Sequence, residues 1–295
     1  MTQLTAVLVE AFAAAPLQGN GATVIWLEQP ARAAWMQNVA ASLRQSETAF
    51  LWQSPQGLCL RWFTPSCEVP LCGHATLAAA LALGHWQRLA PGTPQDLLTA
   101  SGRLQVELLP DQPTPAASLL LPSGPLQPAE APAYLCRHFG DSPTHFWTSE
   151  LGYQVALLSD AINLEALSGT ATILEGPERL GLVVMQGHGG DQRVLGEPCD
   201  YQLRFFAPGL GIPEDPVTGS AHALVAPWWM GKLGRSHVVG WQPSDRCGGM
   251  LCELVRPGWV QLSGTGHLLW DGQIQAGDPG QDPEGWLKNL TAAAW

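Results

Sequence analysis

The chain has 295 residues, enough for one large domain or two of ordinary size. It is 46% hydrophobic but only 13% charged, and 25 acidic against 14 basic residues leave a net charge of −11, so it is a poor candidate for binding nucleic acid or an anionic membrane. Its 32 glycines and 25 prolines are dispersed rather than periodic, which points to tight turns between short strands and not to collagen or disorder.

In chain order, strands are expected near 4–11 and 21–27. The apolar start from Leu4 to Phe12 lacks a basic flank and carries Glu10, so a secretory leader is not expected. An amphipathic helix is plausible over Ala31 to Leu43. A strand near 47–53 has Glu47 at its head, and Leu60 to Phe63 forms another that Thr64-Pro65 ends, because proline removes a ladder donor. From Gly73 the Ala/Leu-rich pattern reads as helix, and its longest apolar run, Leu77 to Leu83, is far too short to cross a bilayer. After a strand near 103–109, the Pro-rich stretch from Pro110 to Pro132 is the natural inter-domain segment. Strands follow near 153–158 and 180–186 and over Leu203 to Phe206. A second helix starts at Gly219, and strands near 250–255, 259–263 and 267–270 close the chain. The class is α+β with mostly antiparallel strands. Seven cysteines, an odd number without a C-x-x-C pair, point to reduced thiols in a cytoplasm.

The chain resembles itself. Leu60-Arg61-Trp62-Phe63-Thr64-Pro65 recurs as Leu203-Arg204-Phe205-Phe206-Ala207-Pro208, 143 positions on. Pro70-Leu71-Cys72-Gly73-His74-Ala75 recurs as Pro216-Val217-Thr218-Gly219-Ser220-Ala221, 146 positions on. One three-residue insertion reconciles the two offsets, and each copy runs into a long apolar stretch. Two homologous halves follow, each near the common domain size and each with one central helix.

Both repeats set small residues and a polar side chain at the start of an apolar helix. A helix N-terminus offers unpaired N–H groups and about half a positive charge, hence a ready anion site. If the halves pack with pseudo-two-fold symmetry, both ends face one cleft and can hold a carboxylate. Ordinary capping by Thr218 or Ser220 is the plainer alternative for either copy alone. Among titratable groups, Glu47 enters an apolar strand, where burial would raise its pKa toward the range useful for acid/base work. Glu68 and the Glu214-Asp215 pair precede the two helices, His74 opens the first and His222 lies one turn into the second. Any one of these alone is more often structural than catalytic. The chain holds no G-x-G-x-x-G, P-loop, H-E-x-x-H or G-x-S-x-G, and no cysteine spacing of a structural zinc site, so neither a nucleotide cofactor nor a metal is implied.

Together these motifs resemble the PhzF family of phenazine-biosynthesis-like isomerases. The residues that carry the resemblance are Ser46-Glu47-Thr48-Ala49-Phe50, Arg61 to Pro65 with Glu68 to Thr76, and Phe205 to Pro208 with Glu214 to His222. Glu10-Ala11-Phe12 with Gly19-Asn20, and Ser263-Gly264-Thr265-Gly266, add to it. The resemblance implies a diaminopimelate-epimerase-like fold of two pseudo-symmetric halves, each a barrel-like, mostly antiparallel sheet around a central helix, with the active site in the cleft between them. The expected division is 1–115, joined by the tail 276–295, and 116–275. The resemblance assigns acid/base catalysis to Glu47 and substrate contact to His74 and Asp215, with Gly73, Gly219 and Ser220 lining a carboxylate pocket. It implies no cofactor and a homodimer. Glu10 stands where the family usually has Asp, and Gly21 where Pro is common, which bears on the loop after the first strand.

The expected reaction is a proton shift on a small carboxylate-bearing substrate, with Glu47 as general acid/base. Two rivals stand beside it. A two-thiol racemase or epimerase would use Cys72, but Thr218 occupies the matching position in the second half. A non-catalytic small-molecule-binding protein on the same scaffold is the other.

Overall fold

A computed structural model describes residues 2–187, 190–280 and 286. The chain forms two compact units, Met1–Leu120 with Thr265–Trp295, and Leu121–Gly264.

The first unit contains β1 (Thr2–Ala11), β2 (Asn20–Leu27), α1 (Ala33–Leu43), β3 (Glu47–Ser54), β4 (Gly57–Phe63), β5 (Glu68–Val69), α2 (Gly73–His85), β6 (Gln95–Thr99), β7 (Gly102–Leu108) and most of β8 (Ala116–Pro122). Strand β1 runs antiparallel to β2, β2 parallel to β3 through the α1 crossover, β3 antiparallel to β4, β4 parallel to β6, and β6, β7 and β8 antiparallel in turn. A last strand segment, 266–276, lies antiparallel to β1, and Gly266 N–H donates to the Pro115 carbonyl at 2.9 Å beside β8. The ring of eight strands is thereby a closed barrel, which leaves no sheet edge to pair with another chain.

Helix α2 packs against β1, β2, β3 and β7. Every residue from His74 to Leu83 is buried, so the helix shows no polar face. A helix apolar all round belongs inside a fold, and each of its buried leucines contributes roughly 1.5–3 kcal/mol. Strand and helix approach so closely that a Cβ at Gly266 would collide with Leu81 Cδ1 and reach the Glu10 carbonyl at 3.0 Å. Trp286 packs edge-on against Trp52, their ring centres 5.2 Å apart, so at this residue the C-terminal tail belongs to the first unit.

The second unit contains β9 (Leu126–Pro128), α3 (Ala133–Phe139), β10 (His145–Ser149), β11 (Gln154–Leu157), α4 (Thr170–Ile173), β12 (Leu182–Gln186), the hairpin of β13 (Arg193–Val194) and β14 (Glu197–Pro198), β15 (Tyr201–Ala207), β16 (Ile212–Asp215), α5 (Gly219–Leu233), β17 (His237–Gln242), β18 (Gly248–Arg256) and the first part of β19 (Trp259–Ala276). Its pairing repeats that of the first unit. Strand β10 is antiparallel to β11, β11 parallel to β12, β12 antiparallel to β15, β15 parallel to β17, and β17, β18 and β19 antiparallel in turn. In each unit a short strand (β5, β16) folds back on the strand before it and leads into the central helix.

The repeated L-R-[WF]-F segment has the same local job in both units. Arg61 donates from Nε and Nη2 to the two oxygens of Glu68, both at 2.7 Å, and Arg204 donates likewise to Glu214 at 2.7 and 2.6 Å. Each guanidinium also lies over the ring two residues on, Phe63 or Phe206, at 5.2 and 5.1 Å. Bidentate arginine–carboxylate pairs are geometrically specific, and these two fix the strand that feeds each central helix. Glu68 and Glu214, titratable candidates in the sequence, are thereby structural.

The α+β class and the mostly antiparallel strands match the sequence reading. Helix α1 begins at Ala33, and the two strands expected near 259–263 and 267–270 are one continuous β19. The Pro110–Pro132 stretch, expected as the inter-domain segment, holds the passage between the units at Leu120 and Leu121, and it also contains β8 and β9. The chain passes between units inside β8 and inside β19. All seven cysteines are free.

Candidate active site

In the first unit, Glu47 is the first residue of β3 and stands in parallel register with Ala22 of β2. The preceding Ser46 holds this end in place. Its hydroxyl lies 2.8 Å from the Gly21 carbonyl and 2.9 Å from Asn20 Oδ1, two oxygens that can accept its proton, and 3.2 Å from His74 Nε2, whose N–H it can accept in the charged ring.

Helix α2 starts after Cys72, whose extended backbone makes it the N-cap, yet no side chain caps the helix. The Cys72 carbonyl accepts from the Thr76 amide at 3.1 Å and the Thr76 hydroxyl at 2.5 Å. An N-terminus without a side-chain cap keeps its first N–H groups and its partial positive charge available. Cys72 Sγ lies 3.5 Å from His74 Nδ1, and His74 Nε2 lies 2.9 Å from Glu47 Oε2. That ion pair is close enough for charge but off the angle of a hydrogen bond, so the buried Oε2 has no hydrogen-bond partner. Glu47, Cys72 and His74 are exposed by only 7%, 8% and 6%, which makes their mutual charge the deciding influence.

Burial by itself pushes the Glu47 carboxyl up, as the sequence reading expected. The charge of His74, helped by the polar Ser46 and Cys72 beside it, outweighs it and holds the group below its ordinary value of 4.5. The correction follows from a contact the sequence does not contain. For His74, burial pushes down, but the sulfur and the carboxylate beside it win and raise it well above 6.5. Burial and the neighbouring carboxylate both push the Cys72 thiol up. The carboxylate of Glu47 and the imidazole of His74 thus favour each other's charged forms.

The second unit builds the counterpart. Asp215 ends β16 opposite Phe205, and Thr218 is the extended N-cap of α5. Thr218 donates its hydroxyl to Asp215 Oδ2 at 2.6 Å. Its amide donates to Gln242 Oε1 at 3.0 Å, while Gln242 Nε2 donates to the Asp215 carbonyl. Gln242 is fully buried on β17 and clamps the turn between β16 and α5 from both sides. Gly219 and Ser220 open α5, and the Ser220 hydroxyl lies 3.2 Å from that of Tyr153. His222 is fully buried, with Nδ1 2.8 Å from the Tyr201 hydroxyl, and burial drops its pKa to about 3, so it is a neutral core residue rather than a proton carrier.

The structure thus brings Glu47, Gly73 and His74 together with Cys72 in the first unit, and Asp215, Gly219 and Ser220 together with Thr218 in the second. Sequence reasoning did not assign site roles to Ser46, Tyr153 or Gln242. Ser46 and Thr218 sit inside the quoted motifs and were within reach. Gln242 carries no local signal, because only the β15–β17 register brings it to α5. At the loop after β1, Glu10 accepts the Leu17 amide at 2.6 Å, which gives the unusual glutamate a local task in holding that turn.

A family model described as phenazine biosynthesis-like protein matches residues 9–272. The chain belongs to the PhzF family. An uncharacterized isomerase of Halalkalibacterium halodurans is 35% identical over 83% of this chain and 88% of its own. One of Pseudomonas aeruginosa is 34% identical over 92% and 99%. The human phenazine biosynthesis-like domain-containing protein is 32% identical over 91% and 98%. Among solved structures, a PhzF-family protein of Enterococcus faecalis superposes with a TM-score of 0.81 at 29% identity, covering 93% of this chain and all of that one. A hydroxyproline epimerase from Agrobacterium vitis aligns with a TM-score of 0.59 at 12% identity, a likeness of fold. The fold is therefore the diaminopimelate-epimerase-like one, with two pseudo-symmetric halves. No helix among the described residues is long and apolar enough to cross a membrane.

Proposed function

We propose that this PhzF-family protein is a cofactor-independent isomerase that moves a proton between two carbons of a small carboxylate-bearing substrate. The observation that carries the reading is the buried Glu47 carboxylate, charged beside His74 and with one oxygen free of any hydrogen bond. A general base must be ionised and must have a lone pair to spare, and Oε2 meets both conditions.

Glu47 takes the proton from one carbon and becomes a neutral acid. The same carboxyl returns it at the second carbon, so protons and charge balance without a metal or redox step. The imidazolium of His74 keeps Glu47 ionised before substrate arrives and contacts the substrate in turn. Asp215 holds an amino or hydroxyl group of the substrate. The helix start at Gly73, and Gly219 with Ser220 at the start of α5, receive its carboxylate through N–H and hydroxyl donors. A positioned acid/base of this kind is worth roughly 10²–10⁴-fold in rate.

The two-thiol racemase reading is weaker. Thr218 takes the place of the second thiol and its hydroxyl is committed to Asp215. We further read the repeated strand order as an internal duplication and the protein as a homodimer, to be checked by light scattering on the eluting protein.

The test uses a panel of cyclic and unsaturated amino and hydroxy carboxylates in D₂O, with deuterium at carbon read by NMR. The expected result is exchange into at least one of them that is lost in Glu47→Gln and kept in Cys72→Ser. Exchange abolished by Cys72→Ser and kept by Glu47→Gln would overturn the proposal in favour of thiol chemistry. Binding without exchange across the panel counts for the binding-protein reading.

A further inference from the structure

The second residue of each central helix is met by a hydroxyl from outside the helix. His74 and Ser220 hold matching places in the repeat, directly after Gly73 and Gly219. In the first unit the hydroxyl belongs to Ser46, the residue before β3, and lies 3.2 Å from His74 Nε2. In the second unit it belongs to Tyr153, the residue before β11, and lies 3.2 Å from Ser220 Oγ. Strand β2 pairs parallel with β3 as β11 does with β12, so the place of Ser46 falls in the second unit to Gly181, the residue before β12. That place carries no side chain, and the Tyr153 ring takes the space. A Cβ at Gly181 would lie 2.5 Å from Tyr153 Cδ1 and 2.9 and 3.0 Å from two ring carbons of Phe205. The tyrosine ring packs on Phe205, their centres 4.8 Å apart. Gly181 and Phe205 together thus fix where the phenol oxygen sits.

We propose that Tyr153 is a positioning residue for substrate binding: it donates to Ser220 and so turns the Ser220 proton toward a carboxylate oxygen of the substrate. The direction follows from acidity. A phenol is a far stronger acid than an aliphatic alcohol, and the alcohol oxygen is the better acceptor. Serine has one proton, and accepting from Tyr153 leaves that proton to be given away, whereas the reverse arrangement would spend it on the phenol. Tyr153, Ser220 and Asp215 are half-buried, so a solute reaches this end of α5, while Thr218 and Gly219 beside them are buried. A hydrogen bond to a charged oxygen is roughly twice as strong as a neutral one, so the arrangement favours a carboxylate over the matching primary amide. The inference rests on the reading that Gly219 and Ser220 receive the substrate's carboxylate, and it adds the residue that sets the serine as donor.

The experiment measures binding to the full chain by ligand-detected NMR at neutral pH. The probes are benzoate, 2-hydroxybenzoate and cyclohex-1-ene-1-carboxylate, each beside its primary amide. Wild type is expected to bind at least one acid more tightly than its amide. Tyr153→Phe keeps the ring on Phe205 and loses only the hydroxyl. It should weaken that acid about tenfold and leave the amide within about twofold. Ser220→Ala should weaken the acid at least as much. In the Ser220→Ala background Tyr153→Phe should add nothing, because the phenol acts only through the serine. Gly181→Ala displaces the ring instead of removing the hydroxyl and should weaken the acid likewise. Near-ultraviolet circular dichroism checks that each variant is folded.

Equal affinity of wild type and folded Tyr153→Phe for the acid would refute the proposal. So would additive losses in the double variant, since Tyr153 would then act on its own. A wild type that prefers none of the acids to its amide refutes it as well. Deuterium exchange at carbon reports separately on the proton shift. Exchange that is unaltered in Tyr153→Phe, with unaltered binding, sinks the positioning role and keeps the isomerase reading. The binding pattern expected here, without exchange in any carboxylate, does the reverse.

Discussion

Replacing His74 by glutamine removes the cation that keeps Glu47 ionised, and the sign of the resulting pH dependence follows from the geometry. At 2.9 Å and an effective dielectric of about 20, two unit charges attract by roughly 6 kcal/mol before the cost of burying them. Breaking a buried pair from one side typically costs about 3–5 kcal/mol, because it strands the other charge. In the wild type the folded Glu47 sits below its ordinary 4.5, so its contribution is present above that pH and is lost as pH falls through the folded value. His74 sits well above 6.5, so its contribution is complete below 6.5 and is lost as pH rises through the folded value. Both contributions are whole between pH 4.5 and 6.5.

In His74→Gln only desolvation and weaker hydrogen bonds act on Glu47, and its folded pKa rises above 4.5. The folded state then binds the proton that the unfolded state gives up, and this part of the stability grows as the pH drops toward 4.5. Below pH 6.5 the His74 contribution of the wild type is complete, so only Glu47 changes the difference between the two proteins and other groups cancel. Urea unfolding at pH steps from 4 to 6.5 should therefore show a penalty of about 3–5 kcal/mol that is largest near 6.5 and shrinks on the acid side. A difference that stays flat across the range, or that grows toward pH 4, would mean that the pair does not govern Glu47.

Three further outcomes are expected. Arg204→Met should cost more in urea unfolding than Arg61→Met, by about 1–3 kcal/mol, because Arg204 Nη1 also satisfies the carbonyls of Leu164, Glu165 and Leu167. His222, held neutral with a pKa of about 3 against an ordinary 6.5, must charge on unfolding, so stability falls as pH drops through 6.5 toward 3, and His222→Gln should flatten that decline in acid unfolding curves. Gly240→Ala should lower stability by about 1–3 kcal/mol, because its Cβ would collide with His222 Nδ1 and lie 2.5 Å from Tyr201 Cζ. A thermal melt at neutral pH checks it.

Much of the architecture was legible because the repeat encodes it twice. The offsets of 143 and 146 that relate the motifs also relate Arg61 to Arg204 and Glu68 to Glu214, the partners of the two bidentate pairs. The first central helix was legible for a related reason, since an uninterrupted Ala/Leu run has no polar face to turn to water. The short strands were not. Gln95–Thr99 and His145–Ser149 mix polar and apolar residues without clean alternation, and their place comes from pairing with distant partners. The Pro110–Pro132 stretch was read as the passage between units but not as strand, because prolines flank and end β8 without interrupting its ladder, a position proline tolerates.

The candidate site divides along the same line between local and distant information. Glu47, His74 and Asp215 were found from motifs, which fix residue type and order along the chain. What the motifs do not fix is the charge state, because it depends on a 2.9 Å contact between the head of β3 and the start of α2. Burial alone predicts a raised Glu47 and hence a resting acid, whereas the contact makes it a resting base. On the proposed proton shift, the distinction sets the direction of the first transfer, since a resting base must begin by removing a proton from the substrate. On the same proposal, it lets an acidic chain hold an anionic substrate. Positive charge is concentrated at His74 and at the uncapped helix start beside it, neither of which the formal charge of −11 includes.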